Sequence, residues 1–400
     1  MKLSLREIQI GVAAVIVGLI GTSLLLFSHA STPTTAIEPE NGTVSSAASQ
    51  ITDSTASGGK ALKFGSGAAS GVPAQCASGG TYLWNNLETC GWPGPANTGY
   101  VAASCPGGHL AATTLTADSH GVIAVTQNNQ TVNCQTINGC VDVTATGVTF
   151  TNNLITACDG TKLASDPIES SDSAGNGTGV IKIEDGASAT ITNNELNGLS
   201  RVHACIWHQG TSMTATANNC YGVDDGIFSW ADTSYSTTTG DHFTIADNYL
   251  HNFTSKTSNG HIDGYQTEGA GNGTISHNTF LMTSDLGTNE TDSAVAIWNS
   301  RKSSHDITVQ NNLIAGGGFA IYAEDYDPSE ASPSGGYSVT NIFLTSNKFS
   351  THLFGCIGYY GVWYPRGNPT DKWNRSGNTV LETGFNLDGG NPSYQGASCT

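Results

Sequence analysis

From about residue 134 onward, short stretches of alternating apolar and polar side chains recur along the chain, each closed by an asparagine. The stretch 148–155 reads VTFTNNLI and 189–196 reads ATITNNEL, and the pattern returns at 215–220, 243–250, 274–280, 307–314 and 342–349. Alternation with period two predicts β-strands rather than helices. The asparagines Asn153, Asn194, Asn219, Asn248, Asn278, Asn312 and Asn347 follow one another at 25 to 41 residues. Units of that size bury an apolar face only against their neighbours, which predicts a stacked solenoid. Asparagine at a fixed turn position suits such a stack. It tolerates left-handed backbone, and its amides can hydrogen-bond from coil to coil as a ladder.

A second run precedes each asparagine unit, at 181–185, 205–209, 227–232, 262–267, 295–300, 319–324 and 357–360. Aligned on their centres, these runs place Trp207, Trp230, Tyr265, Trp298, Tyr322 and Tyr359 in one column. Pointing outward, the column is an aromatic stripe along a groove, suited to stacking on sugar rings. Pointing inward, it is a core stack, and the pattern leaves both open. The adjacent column, Ile206, Ser229, Gly264, Ile297, Ile321 and Gly358, is the candidate interior one.

The first residues break the pattern. Lys2 and Arg6 precede an apolar stretch at about 8–27, then Ser28-His29-Ala30. This predicts an export segment over 1–30, either cleaved as a signal peptide or retained as a membrane anchor. Residues 31–76 are expected to be a Ser/Thr/Gly-rich stalk, in which 38–42 and 55–64 resemble two signature strands of carbohydrate-binding β-sandwich modules. Residues 77–133 are expected to form a Cys-rich cap, with Trp84, Trp92 and Tyr100 covering the open end of the solenoid at 134–400.

Composition sharpens the compartment and the partners. Charged residues are 12% of the 400, against 49 glycines, and 14 basic residues face 32 acidic ones. No basic cluster occurs, which excludes a nucleic-acid partner. Ten cysteines in an exported chain predict disulfides in an oxidising compartment. Cys134–Cys140 and either Cys76–Cys90 or Cys90–Cys105 are the local candidates. The chain is expected to be extracellular or at the cell surface, monomeric, and in touch with a membrane only through its N-terminal segment.

Residues 139–143 (GCVDV), 222–226 (GVDDG) and 259–266 (NGHIDGYQ), with the asparagine units, resemble the pectate-lyase-like superfamily. More narrowly, they are similar to secreted bacterial proteins marked by a His-x-Asp-Gly-x-Gln strand. The resemblance runs from about residue 77 to the C-terminus. It implies an all-β fold, a single-chain right-handed parallel β-helix. Activity does not follow from it, because β-helices host lyases, hydrolases and adhesins alike.

Stacking of coils gathers the candidate chemistry. Asp224, Asp225, His261 and Asp263 are expected to share a groove with Arg301, since adjacent strands lie about 4.8 Å apart. In a hydrolase, one carboxylic acid protonates the glycosidic oxygen while another activates water. The order Asp-Asp, Gly-His, Arg-x-Lys resembles the polygalacturonase pattern, but here the last element reads Arg301-Lys302-Ser303 and the upstream Asn-Thr-Asp element of that family is missing. In a lyase, Arg301 or Lys302 removes the proton next to a uronate carboxyl, and Ca²⁺ held by Asp224, Asp225, Asp232, Asp263 and Glu268 acidifies it. Trp207, His208, Trp230, Tyr265, Gln266, Trp298 and Tyr322 are the expected substrate contacts. The leading expectation is an enzyme acting on extracellular polysaccharide; the alternative is a glycan-binding or adhesive surface protein.

Overall fold

The computed structural model describes residues 48–52, 60–64, 72–158, 179–230, 240–254, 261–284, 291–299, 301–323, 337–364 and 373–389. The expected export segment lies outside the described residues, and among them no helix is long and apolar enough to cross a membrane. Residues 1–71 form a unit of their own, whose described part is an antiparallel pair, Ala48–Thr52 with Lys60–Phe64.

Residues 72–400 form the second unit, built on three parallel sheets of nine, nine and ten strands. Every third strand in sequence pairs with the next, so the chain passes through the first, second and third sheets once per coil. That is a parallel β-helix, as the alternation and the repeat predict. One continuous apolar core fills it, from Ile123 to Leu387.

The ladder asparagines sit at the turn from the second sheet to the third. Asn153, Asn194, Asn218, Asn248, Asn278, Asn312, Asn347 and Asn378 are all buried, and each Nδ2 donates to the next Oδ1 at 2.9–3.1 Å. The last, Asn378, donates to Asp388 at 2.9 Å. Two details differ from the sequence reading. In the third repeat the ladder member is Asn218; Asn219 begins the next strand, where its side chain meets His251 at 2.9 Å. The left-handed backbone falls one residue before the ladder, at Asn152, Asn193, Ala217, Asp247, His277, Asn311, Ser346 and Gly377. The ladder asparagine is thus selected for its amide rather than for its backbone freedom.

The disulfides are Cys76–Cys90, Cys105–Cys134, Cys140–Cys158 and Cys205–Cys220, and Cys356 is disulfide-bonded too. Cys134–Cys140 does not form because the extended strand Gln135–Asn138 separates the two positions. The expected cap is also differently arranged. The first coil already begins with Ala111–Ala112, Val122–Val125 and Thr131–Asn133. Residues 72–101 lie along the outer face of the third sheet instead of over the end of the stack. There Leu83 and Leu87 pack with Tyr249 and Leu313, Trp84 stacks on His352 at 4.9 Å and Trp92 on His277 at 5.4 Å. The Val101 N–H ends the strap at Asn152.

Candidate functional site

The outer face of the first sheet carries the chemistry. Its register pairs Ile181, Ile206, Ile227, Tyr265, Val295 and Ile321, all within the main core. The next position, pointing away, holds Asp142, Lys182, Trp207, Phe228, Gln266, Ala296 and Tyr322. Trp207, Phe228, Trp230 and Ala204 make a separate apolar cluster there. The aromatic column expected from the sequence therefore divides. Tyr265 is a core residue, fully buried 5.3 Å from Phe243, and stacks on no ligand. His208 likewise faces inward; its Nε2 lies 3.1 Å from the Asp241 carbonyl, and burial pushes its imidazole down to about 4. Alignment on strand centres failed because the strands enter the sheet at different offsets.

Trp207 and Trp230 lie outside the core but are buried, under His203 and Arg301 respectively. The His203 ring is 5.1 Å from Trp207 and the Arg301 guanidinium 4.9 Å from Trp230, a cation–π contact. Trp298 is half-buried and meets the edge of the exposed His261 ring at 5.1 Å. Tyr322 is half-buried and stacks on Tyr364 at 4.4 Å.

A carboxylate cluster occupies the N-terminal edge of this sheet, where successive strands begin with Asp225, Asp263 and Ser293. The Asp263 N–H donates to Asp225 Oδ1 at 3.0 Å, and the Ser293 hydroxyl donates to Asp263 Oδ1. Asp225 Oδ2 lies 2.7 Å from His203 Nε2, while Asp224 Oδ2 lies 3.9 Å from His203 Nδ1. Asp225 and Asp263 are fully buried, and the His203 side chain, 13% exposed, is the member that meets solvent. Burial, then the charges of Asp225 and Asp292, push the Asp263 carboxyl well above the usual carboxylate range. Burial thus disfavours the charged form of Asp263, which lies beside the His203–Asp225 pair.

Sequence reasoning found Asp224, Asp225 and Asp263 but missed His203, which precedes the strand Ala204–His208. Its signal was the register: Ala204 pairs with Asp225, so the residue before it overhangs the acid pair. Asp292 was missed too; its Oδ2 accepts from the Ile262 N–H at 2.9 Å. The structure does not gather the rest of the predicted set. His261 faces Trp298, and Arg301 covers Trp230. Glu268 is buried and accepts from Gln266 Nε2 at 3.0 Å. Asp232 lies outside the described residues, and among those described no three His, Cys, Asp or Glu side chains are grouped to hold a metal ion. Further along the same face, Lys182 pairs with Glu184 at 2.8 Å, and burial and Glu184 push Asp142 up to about 7.

No family model matches the chain, and no curated protein does. Among solved structures, a mutant of the periplasmic alginate epimerase AlgG aligns with 13% identity and a TM-score of 0.27. That alignment covers 61% of this chain and 62% of the epimerase, less than two thirds of its length.

Proposed function

We propose that this protein is an extracellular or periplasmic enzyme that cleaves polysaccharide by acid–base chemistry on the outer face of the first sheet. Four disulfides support the oxidising compartment. The observation that carries the reading is the His203–Asp225 dyad, held against the buried Asp263 at the surface edge of this sheet. Asp225 orients the imidazole and stabilises its protonated form, so His203 can transfer a proton at the surface. The Asp263 N–H keeps Asp225 fixed beneath it. Asp224 is the second carboxylate within reach of the same ring. In cleavage, one proton goes to the glycosidic oxygen as its C–O bond breaks. The other side of the pair accepts a proton, from water in a hydrolase or from sugar carbon in a lyase.

The test is turnover of a polysaccharide panel by the purified protein, following new reducing ends together with the ultraviolet absorbance of unsaturated uronates. Cleavage is expected, and His203→Ala or Asp225→Asn is expected to lower kcat by about 10²–10⁴-fold. Cleavage that survives both substitutions sinks the assignment.

A further inference from the structure

Buried polar atoms normally have hydrogen-bond partners, so those without one point to a ligand. On the outer face of the first sheet such atoms recur, among the described residues, along four adjacent strands. The indole N–H groups of Trp207, Trp230 and Trp298 lack an acceptor, and Asp263 Oδ2 and Gln266 Oε1 lack a partner. Trp207, Trp230, Asp263 and Gln266 are themselves at most 6% exposed. The set combines three indole donors with an amide oxygen and a buried carboxyl. A ligand that satisfies it must both donate and accept hydrogen bonds, which sugar hydroxyls do and carboxylates, acceptors only, do not.

The cations of this face point the same way. Lys182 is held by Glu184, Lys302 by Asp241 at 3.0 Å, and Arg301 lies over Trp230. Against them stand Asp224, Asp225, Glu268 and Asp292, in a chain of formal net charge −18. In this acidic setting a polyuronate meets net repulsion.

The same face also ends in exposed rings. Tyr359 and Tyr360 are 45% and 66% exposed, and Tyr360 lies 5.6 Å from Phe319, which begins the strand after Ser293. The Tyr360 N–H donates to Gly318, whose own N–H donates to the Asp292 carbonyl, so the rings continue directly from the acid cluster. Their loop carries a positive φ of 77° at Ile357, a strained position for a β-branched residue.

We infer that the ligand of this face is a neutral glycan, stacked on Tyr360 and Phe319 and hydrogen-bonded by Gln266 and Trp298. This rests on the polysaccharide reading above and makes the cleavage hydrolytic, since β-elimination requires a uronate.

The experiment is affinity electrophoresis of the full chain in gels containing xyloglucan, glucomannan or mixed-linkage glucan, and in gels containing polygalacturonate or alginate. Wild type and Tyr360→Ala are run side by side, with melting curves to show that each is folded and size-exclusion to fix the oligomeric state. Retardation of the wild type by a neutral glycan, weakened at least tenfold in Tyr360→Ala, is the expected result. Retardation by the polyuronates alone overturns the inference but leaves the enzyme reading intact. Retention of a neutral glycan that is never cut upholds the inference and ends the enzyme reading. Absence of retardation in every gel overturns the inference, as does a dimer that Tyr360→Ala converts to monomer.

Discussion

At the residue scale, the difference between Asn218 and Asn219 shows what a ladder position demands. Asn218 donates to Asn248 and to the Ile191 carbonyl, and its Oδ1 accepts from the Asn194 N–H and side chain. Asn219 has one side-chain partner, His251. Removing the Asn218 amide leaves several buried groups unpaired, each costing about 1–3 kcal/mol. Asn218→Ala is therefore expected to lower unfolding free energy by at least about 2 kcal/mol more than Asn219→Ala, measured by denaturant melts. The sequence offered two adjacent asparagines and no way to choose between them, because the left-handed residue before the ladder is an alanine in that repeat.

The buried ionisable groups set opposite pH windows. The folded state keeps His208 neutral down to about 4, whereas an unfolded imidazole takes a proton near 6.5. Between those values the unfolded chain binds more protons, so stability is lost as pH falls, by about 3 kcal/mol from this residue at pH 4. Asp263 acts in the other sense. Its folded value is raised, so above about 4 the folded chain holds a proton that the unfolded chain has released. Stability contributed by this carboxyl declines as pH rises toward the folded value. Asp263→Asn, which cannot ionise, is expected to flatten the alkaline-side decline in melting temperature while leaving the acid-side loss unchanged. A decline that persists in the variant excludes Asp263 as its source.

At the element scale, the strands were readable and their register was not. Alternation located the second-sheet strands because one face is core and the other solvent, as in Ser188–Thr192 and Ser212–Thr216. First-sheet strands such as Ala204–His208 and Asp225–Ser229 are buried on both faces, so inner and outer side chains look alike. Tyr265 was consequently placed beside Trp207, although Gln266 holds that position through its pairing with Phe228. The acid pair was legible as two Asp-Gly strand starts, Asp225 and Asp263, which need no register beyond the repeat itself. His203 required the register and was missed. The two faces give a direct check by thermal and chemical melts. Tyr265→Ala is expected to cost about 3–5 kcal/mol as a core truncation, and Tyr360→Ala less than about 0.5 kcal/mol.

At the scale of the whole molecule, a solenoid whose coils touch only their neighbours should unfold piecemeal, since stability is a sum of coil and interface terms. The strap at 72–101 changes that. Gly79 approaches Glu382 near the last coil, Trp84 reaches His352, Trp92 His277 and Val101 Asn152, so one segment crosses most of the stack. Cys76–Cys90 fixes its upper half, and Cys105–Cys134 ties its lower end to the first coil. Loss of any coil then strips apolar contacts from the strap, and loss of the strap uncovers Tyr249 and Leu313 on several coils at once. The strap therefore couples distant coils that the repeat alone leaves independent. Leu83→Asp places a charge in the fully buried strap position. It is expected to replace one cooperative denaturant transition by a broader or multistep one, with hydrogen-exchange protection falling along the whole third sheet. A single sharp transition in Leu83→Asp, merely shifted to lower denaturant, would show that the coils are already coupled through the core and the asparagine ladder, and that the strap adds stability without adding cooperativity.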